Sequence, residues 1–415
     1  MRIRAPLAVL LLPPVISAYP LDGAAKTGIR RLTGYRLAHE GKIAAWIRLP
    51  PGALRTMADV RLRLKDAAGS FDITPSTPRD PYLQSGIEKI FAGRDPSYSI
   101  AVLDISDPAR PRYAALKEYD KRIPGSVGKL FVATGLFGAA RRTWPADAAR
   151  RERFLRETFV AADSFVHVDS KTVPFYKDGD KAIVNRRLQV GDTFNLYEWL
   201  DHALSQSSNA AASFTWEQAM LLHRFGAKYP LSREETETFL KETPRAELGR
   251  LALETVEAPL RESGLDTSRI RIGTMFTSGG ERVVPGTGSY ACPAELMRWL
   301  VKLEQGKLVD EWSSLELKRL LYFSRPRYRY SSSPALVNAA VYFKSGSLFE
   351  CAPEPGYQCG QYRGNKVNLM HSVAIVESGT KAYLVALMSN VLKLNSATEH
   401  QTIGTLIERL IQARP

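Results

Sequence analysis

Strand-forming sequence in this chain is split between two distant blocks. "YSIAVLDIS" and "RYAALKEYD", joined by the turn "DPARPR", occupy residues 98–120. "ALVNAAVYFKSGSL", "VNLMHSVAIVES" and "KAYLVALMSNV" follow only after residue 335, the last pair joined by a Gly-Thr turn. Between the blocks, from about 126 to 320, apolar residues recur with mostly helical spacing. Strands at both ends with helices inserted between them predict an α+β fold. One antiparallel sheet is built from distant segments and flanked by helices, with an all-helical part beside it. "DPYLQSGIEKIFAG" reads as an amphipathic helix capped by Asp80, Ser232 and Glu235 form a capping box, and "TEHQTIGTLIERLIQ" is a closing helix.

At 415 residues the chain can bury a large core and hold more than one unit. Two apolar, β-prone runs, "KIAAWIRL" and "DVRLRL", lie on either side of "PPGALRT", so residues 19–79 are expected to form a small strand-rich N-terminal region. The Pro-, Ser- and Thr-rich loop "DITPSTPRDP" sets it apart from a main domain at 80–415. The first 18 residues pair two arginines with a short apolar stretch and small residues at Ser17 and Ala18, the layout of a secretory signal. Pro13, Pro14 and the short apolar length argue against a permanent membrane span, and no cysteine follows for a lipid anchor. The expectation is a secreted or periplasmic protein beginning near Tyr19, with no membrane span after cleavage.

A net charge of +14 raises the question of a polyanionic partner. The basic residues are scattered, and the densest run, "AARRTWPADAARRERFLRE", carries its own acids and reads as a solvated face. Nucleic acid is therefore not expected as a partner. Cys351 and Cys359 bracket "APEPGYQ" and in an oxidising compartment could close a disulfide worth ~2 to 3 kcal/mol; two free thiols close in sequence are the alternative. Neither a histidine nor a second cysteine pair lies near them, so zinc is not expected.

Chemistry enters with "KRIPGSVGKLFVATG", where Ser126 and Lys129 follow a Pro-Gly turn at the start of an apolar, helix-like run. Residues three apart share a helix face, so the two side chains project together. A serine hydroxyl needs a neighbouring base, and a lysine can be that base if burial lowers its pKa. Val127, Leu130, Phe131 and Val132 supply the apolar surroundings, while Gly128, Gly135 and Gly138 admit close neighbours. A lone S-x-x-K is nevertheless expected about once by chance in a chain of this length. Two further motifs raise its weight: Ser207-Ser208-Asn209 in "DHALSQSSNAAA", and Lys344-Ser345-Gly346 at the end of a β-prone run in "VYFKSGSL". Lys26-Thr27-Gly28 also spells K-T-G, but it precedes the serine, has no strand around it and is set aside.

Serine nucleophile, then S-x-N, then K-S/T-G is the order that resembles serine β-lactamases and penicillin-binding proteins. "EAPLRESGLDTSRIRIG" and "GTGSYACPAELMRWLVKLEQGKLVD" look like the intervening helices, and the resemblance covers roughly residues 80–412. It implies that Ser126 attacks an acyl carbonyl with Lys129 as general base, and that Ser207 relays a proton to the leaving nitrogen with help from Lys344. Asn209 would bond the substrate amide, and Lys344 and Ser345 its carboxylate. The amides of Ser126 and Ser347 would form the oxyanion hole. The implied substrates are D-alanyl-D-alanine ends of peptidoglycan stem peptides, or β-lactams, handled without metal or organic cofactor. One departure matters. Class A β-lactamases carry a glutamate that activates the deacylating water, whereas the matching region here, "SRIRIGTMFTSGGERVVPG", has only Glu281 and no following asparagine. Glu254 and Glu257, in the preceding helix, read as surface charge. The missing base favours a D,D-peptidase over a β-lactamase; a non-catalytic sensor of penicillin or peptidoglycan, and an esterase or amidase, are the other readings.

Overall fold

The computed structural model describes residues 22–45, 50–66, 71–323 and 327–413, and the signal-like segment lies outside them. In chain order the elements are α1 (Ala24–Thr27), α2 (Arg30–His39), α3 (Pro81–Phe91), β1 (Ser99–Asp104), β2 (Arg112–Leu116), α4 (Lys129–Thr143), α5 (Ala148–Glu157), β3 (Phe159–Ala161), β4 (Val173–Phe175), β5 (Val184–Arg186), β6 (Thr193–Asn195), α6 (Leu196–Leu204), α7 (Asn209–Phe225), α8 (Arg233–Glu242), α9 (Arg245–Glu262), α10 (Ser278–Val283), α11 (Pro293–Glu304), α12 (Glu311–Tyr322), β7 (Ala340–Glu350), β8 (Val367–Ser378), β9 (Lys381–Asn390) and α13 (Ala397–Gln412).

The two strand blocks meet in one antiparallel sheet of order β2-β1-β9-β8-β7. Its strands are near-continuous apolar runs because both faces are covered. Along β9, Tyr383, Val385 and Leu387 pack under α3 and α13 with Leu83, Ile87, Ile403 and Ile407. Their alternates Leu384, Ala386 and Met388 join the larger core shared with the helical part. Asp80 caps α3 by accepting from the Leu83 amide, and Ser232 and Glu235 form their capping box on α8.

The helical part surrounds α4, which is buried from Lys129 to Ala140 and packs against α7 and α9. At Gly138 a Cβ would stand 2.5 Å from Pro259 of α9, so only glycine admits this crossing. The stretch read as mostly helical also holds two ribbons, β3 with β6 and β4 with β5, each strand three residues long and too short to show a period. The basic run at 139–157 is not a free solvated face. Arg151 is 3% exposed and bonds Asp310 at 2.6 Å, and Arg156 reaches Glu316 at 3.2 Å.

The expected strand-rich N-terminal region is corrected by the structure. Its described residues form α1, α2 and 3-10 turns, with a single bridge between Ala44 and Ala182; residues 46–49 of "KIAAWIRL" lie outside the described residues. "DVRLRL" does alternate, and Val60 and Leu64 are buried, but the extended chain lies on helices instead of joining a sheet. Leu64 N–H donates to the Glu304 carbonyl at the end of α11, and Arg63 N–H to the Glu304 carboxylate. The segment is tied into the main body by charge as well. Arg31 pairs with Asp201 of α6 at 2.5 Å, Asp72 with Arg298 and Lys302 of α11 at 2.9 Å, and Arg55 and Arg63 with Glu377 of β8.

Lys318 of α12 sits at the centre of this junction, fully buried, 2.6 Å from Glu304 and 2.9 Å from Glu377, and donating to the Arg61 carbonyl. Removing the cation strips the buried Glu304 carboxylate of its ion-pair partner and leaves Glu377 to Arg55 and Arg63. Lys318→Met is expected to destabilise the protein by about 3 to 5 kcal/mol, read from the denaturant midpoint at unchanged m-value, and a second change, Glu304→Gln, to restore part of the loss.

Candidate active site

Pro124 and Gly125 lead into a 3-10 turn, Gly125–Gly128, that runs directly into α4 and carries Ser126 half-buried on the wall of a cavity of about 540 Å³. Strand β7 lies against this turn. A Cβ on Gly346 would stand 2.4 Å from the Pro124 carbonyl oxygen, and Gly125 has φ +53 with the Ser347 amide nitrogen 3.1 Å from where its Cβ would be. The two glycines let the backbone of Ser345–Ser347 reach the serine, and both Ser345 and Ser347 line the cavity. Beneath Gly346, in register on β8, the buried His371 makes a 3.0 Å hydrogen bond to the Ile123 carbonyl. Burial brings its pKa down to about 4, so it holds the turn as a neutral ring.

Lys129 is 1% exposed. Its Nζ lies 3.0 Å from Ser126 Oγ, 2.7 Å from the Ser207 carbonyl oxygen, 2.7 Å from Asn209 Oδ1 and 3.4 Å from Ser207 Oγ. Burial pulls its pKa down to about 7; Asp169 opposes the fall and Lys171 adds to it. The geometry assigns the protons. The Ser207 carbonyl and the Asn209 amide oxygen only accept, so a neutral amine spends both N–H groups on them and turns its lone pair to the Ser126 hydroxyl.

Ser207 is buried and has φ +58, unusual for a residue with a side chain. Its hydroxyl accepts from Lys344 Nζ at 2.9 Å, and that amine also donates to the Ser345 carbonyl. Lys344 is 2% exposed, and burial with the nearby charges of Lys129, Arg329 and Lys171 keeps its pKa well below the lysine range. The three motifs thus converge on Ser207. Lys344 faces Ser207 and does not line the cavity.

Several residues at this site carry no sequence motif. Asp169 is buried, and its Oδ2 accepts from Ser208 Oγ at 2.8 Å and Ala210 N–H at 2.9 Å, anchoring the segment 169–172 to the start of α7. Arg329, with φ +56 and 6% exposed, donates to the Gly346 carbonyl at 2.7 Å and lies between the rings of Tyr328 and Tyr362, 5.4 and 5.3 Å from their centroids. Tyr362 follows the loop closed by Cys351 and Cys359, which are disulfide-bonded with their Cα atoms 5.9 Å apart. Nothing in the spacing of "RPRYRYSSS" marks Arg329, which only the tertiary fold brings to β7.

On the other side of Lys129 stands a phenyl ring. Phe276 is centred 4.9 Å from Nζ, its amide held by Ser213 Oγ. Glu281 is exposed on α10, away from the cavity lining. Glu257 is not the surface charge expected: it is 5% exposed and paired with Arg271 at 2.5 Å and Arg261 at 3.4 Å. No acidic residue lines the cavity among the described residues.

No protein-family model matches the chain, and no curated protein sequence does. Solved structures do resemble it. A point mutant of PBP-A, captured as an acyl-enzyme complex with penicillin G, is 12% identical with TM-score 0.50 over 82% of this chain and 100% of that one. A β-lactamase from Chitinophaga pinensis is 14% identical with TM-score 0.51 over 80% and 99%. An ancestral class A β-lactamase is 16% identical with TM-score 0.50 over 80% and 99%. At such identities the likeness is one of fold: the antiparallel sheet with its flanking and inserted helices is the fold seen in PBP-A and in these β-lactamases.

Proposed function

We propose that this chain is an exported serine hydrolase or acyltransferase that forms an acyl-enzyme at Ser126 with D-Ala-D-Ala peptides or β-lactams, and that D,D-peptidase-like chemistry is favoured over β-lactam hydrolysis. The observation that carries this reading is the buried Lys129 amine, 3.0 Å from the Ser126 hydroxyl oxygen and 2.7 Å from each of two oxygens that only accept. Lys129 takes the hydroxyl proton as Ser126 Oγ bonds the acyl carbon. The amides of Ser126 and Ser347 receive the oxyanion. Collapse breaks the C–N bond, and the proton passes through Ser207, beside Lys344, to the leaving nitrogen. Asn209 orients the substrate amide. Ser345, Ser347 and Arg329 meet its carboxylate, a task the sequence assigned to Lys344 and Ser345 and to which Arg329 adds a buried guanidinium.

Release of the acyl group is the slower half. A general base is worth about 10² to 10⁴ in rate, and no acidic residue lines the cavity among the described residues. Export rests on the N-terminal signal pattern, and the Cys351–Cys359 disulfide suits an oxidising compartment. The stem peptide of peptidoglycan is the natural donor this site would meet there.

Incubating the protein with benzylpenicillin and following intact mass is expected to give an adduct at Ser126 that outlasts many acylation half-times; no adduct, or one that forms equally on Ser126→Ala, overturns the assignment. Lys129→Ala is expected to slow acylation by about 10² to 10⁴. Because Lys129 must be neutral to act and its pKa is about 7, the acylation rate should fall as pH drops through about 7 and level off above it. A rate flat from pH 5 to 9 would exclude Lys129 as the base.

A further inference from the structure

The cavity has cations on two walls and no acid to answer them. Arg329 stands on the β7 side through its bond to Gly346, and Lys171 on the α7 side, on the segment that Asp169 ties to Ser208 and Ala210. Lys171 is half-buried, flanked in the lining by the hydroxyl residues Ser170 and Thr172. It makes no ion pair among the described residues, and Asp169, the acid nearest in sequence, has its oxygens engaged by Ser208, Ala210 and the Lys171 amide. Lys129 and Lys344 lie beneath the same space, and both feel the charge of Lys171. With both of those amines favoured neutral by burial, the charge on the cavity walls is that of Arg329 and Lys171, and a cleft of one sign gathers ligands carrying more than one negative charge.

From this arrangement we propose that Lys171 is a specificity-determining residue, selecting acyl donors that carry a second negative charge on the acyl side, away from the carboxylate met by Arg329. The inference rests on the acyl-enzyme reading above and narrows its substrate class to dianionic donors. Ser170 and Thr172 supply hydroxyl donors to the same anionic group, and Lys171 supplies the charge.

Two penicillins separate the terms: benzylpenicillin, with a neutral side chain, and carbenicillin, with a carboxylate there. The readout is the ratio of their second-order acylation rates, followed by intact mass, in wild type, Lys171→Met and Lys171→Glu. Comparing ratios cancels the intrinsic reactivity of each penicillin and any effect of the substitution on Lys129 or on folding. The carbenicillin-to-benzylpenicillin ratio is expected to fall about fivefold in Lys171→Met and further in Lys171→Glu, and the wild-type ratio to fall with rising ionic strength. A ratio unchanged by both substitutions overturns the role of Lys171 while leaving acylation at Ser126 standing. No adduct with either penicillin on the wild type overturns the acyl-enzyme reading and this inference with it.

Discussion

A lysine buried in the core without a carboxylate beside it is the constraint around which the site is built. Holding Lys129 neutral near pH 7 costs on the order of 5 kcal/mol relative to a lysine in water, and the fold bears that cost by surrounding α4 on its buried side with α7 and α9. What stabilises the amine is a pair of oxygens, from the Ser207 carbonyl and Asn209, placed by the start of α7. Those acceptors decide which way the lone pair points. A carboxylate in their place would have kept the lysine charged and left Ser126 without a base.

The same preference for neutrality explains the asymmetry between the two halves of the proposed reaction. Burial, with no ion pair to Lys129 among the described residues, is what lowers the amine's pKa. No acidic residue lines the cavity among the described residues, so the proposed acyl-enzyme has no carboxylate there to activate a water. In the proposed reaction an acyl group so held would be open to another nucleophile. Ser207 is held under backbone strain, since a non-glycine residue at φ +58 costs about 1 kcal/mol or more. Its hydroxyl is thereby set between two amines that come from opposite ends of the domain.

How much of this was legible in the chain follows from how local each feature is. The alternation of β9, the Asp80 cap and the Ser232–Glu235 box depend on neighbouring residues, and each is present. "DVRLRL" misled because an extended chain lying on helices alternates as a strand does, and only its hydrogen bonds to Glu304 tell the two apart. Arg151 and Glu257 read as solvated because their partners, Asp310 and Arg271, come from other elements and no local pattern announces them. Arg329 and Lys171 have no signature at all, being brought to the cavity by turns whose closure depends on β7 and on Asp169.

By itself the sequence determined the chemistry on offer: a serine with a lysine one helical turn away, an S-x-N and a K-S-G in order, strand blocks that must join, and no glutamate at the expected place. Those features are written in spacing and periodicity, which are local. The tertiary structure alone decided protonation, direction and charge, because these depend on burial and on partners remote in the chain. Burial lowers the pKa of Lys129, Lys344 turns to Ser207, Arg329 reaches the Gly346 carbonyl, and Lys171 faces a cavity that no acid lines among the described residues.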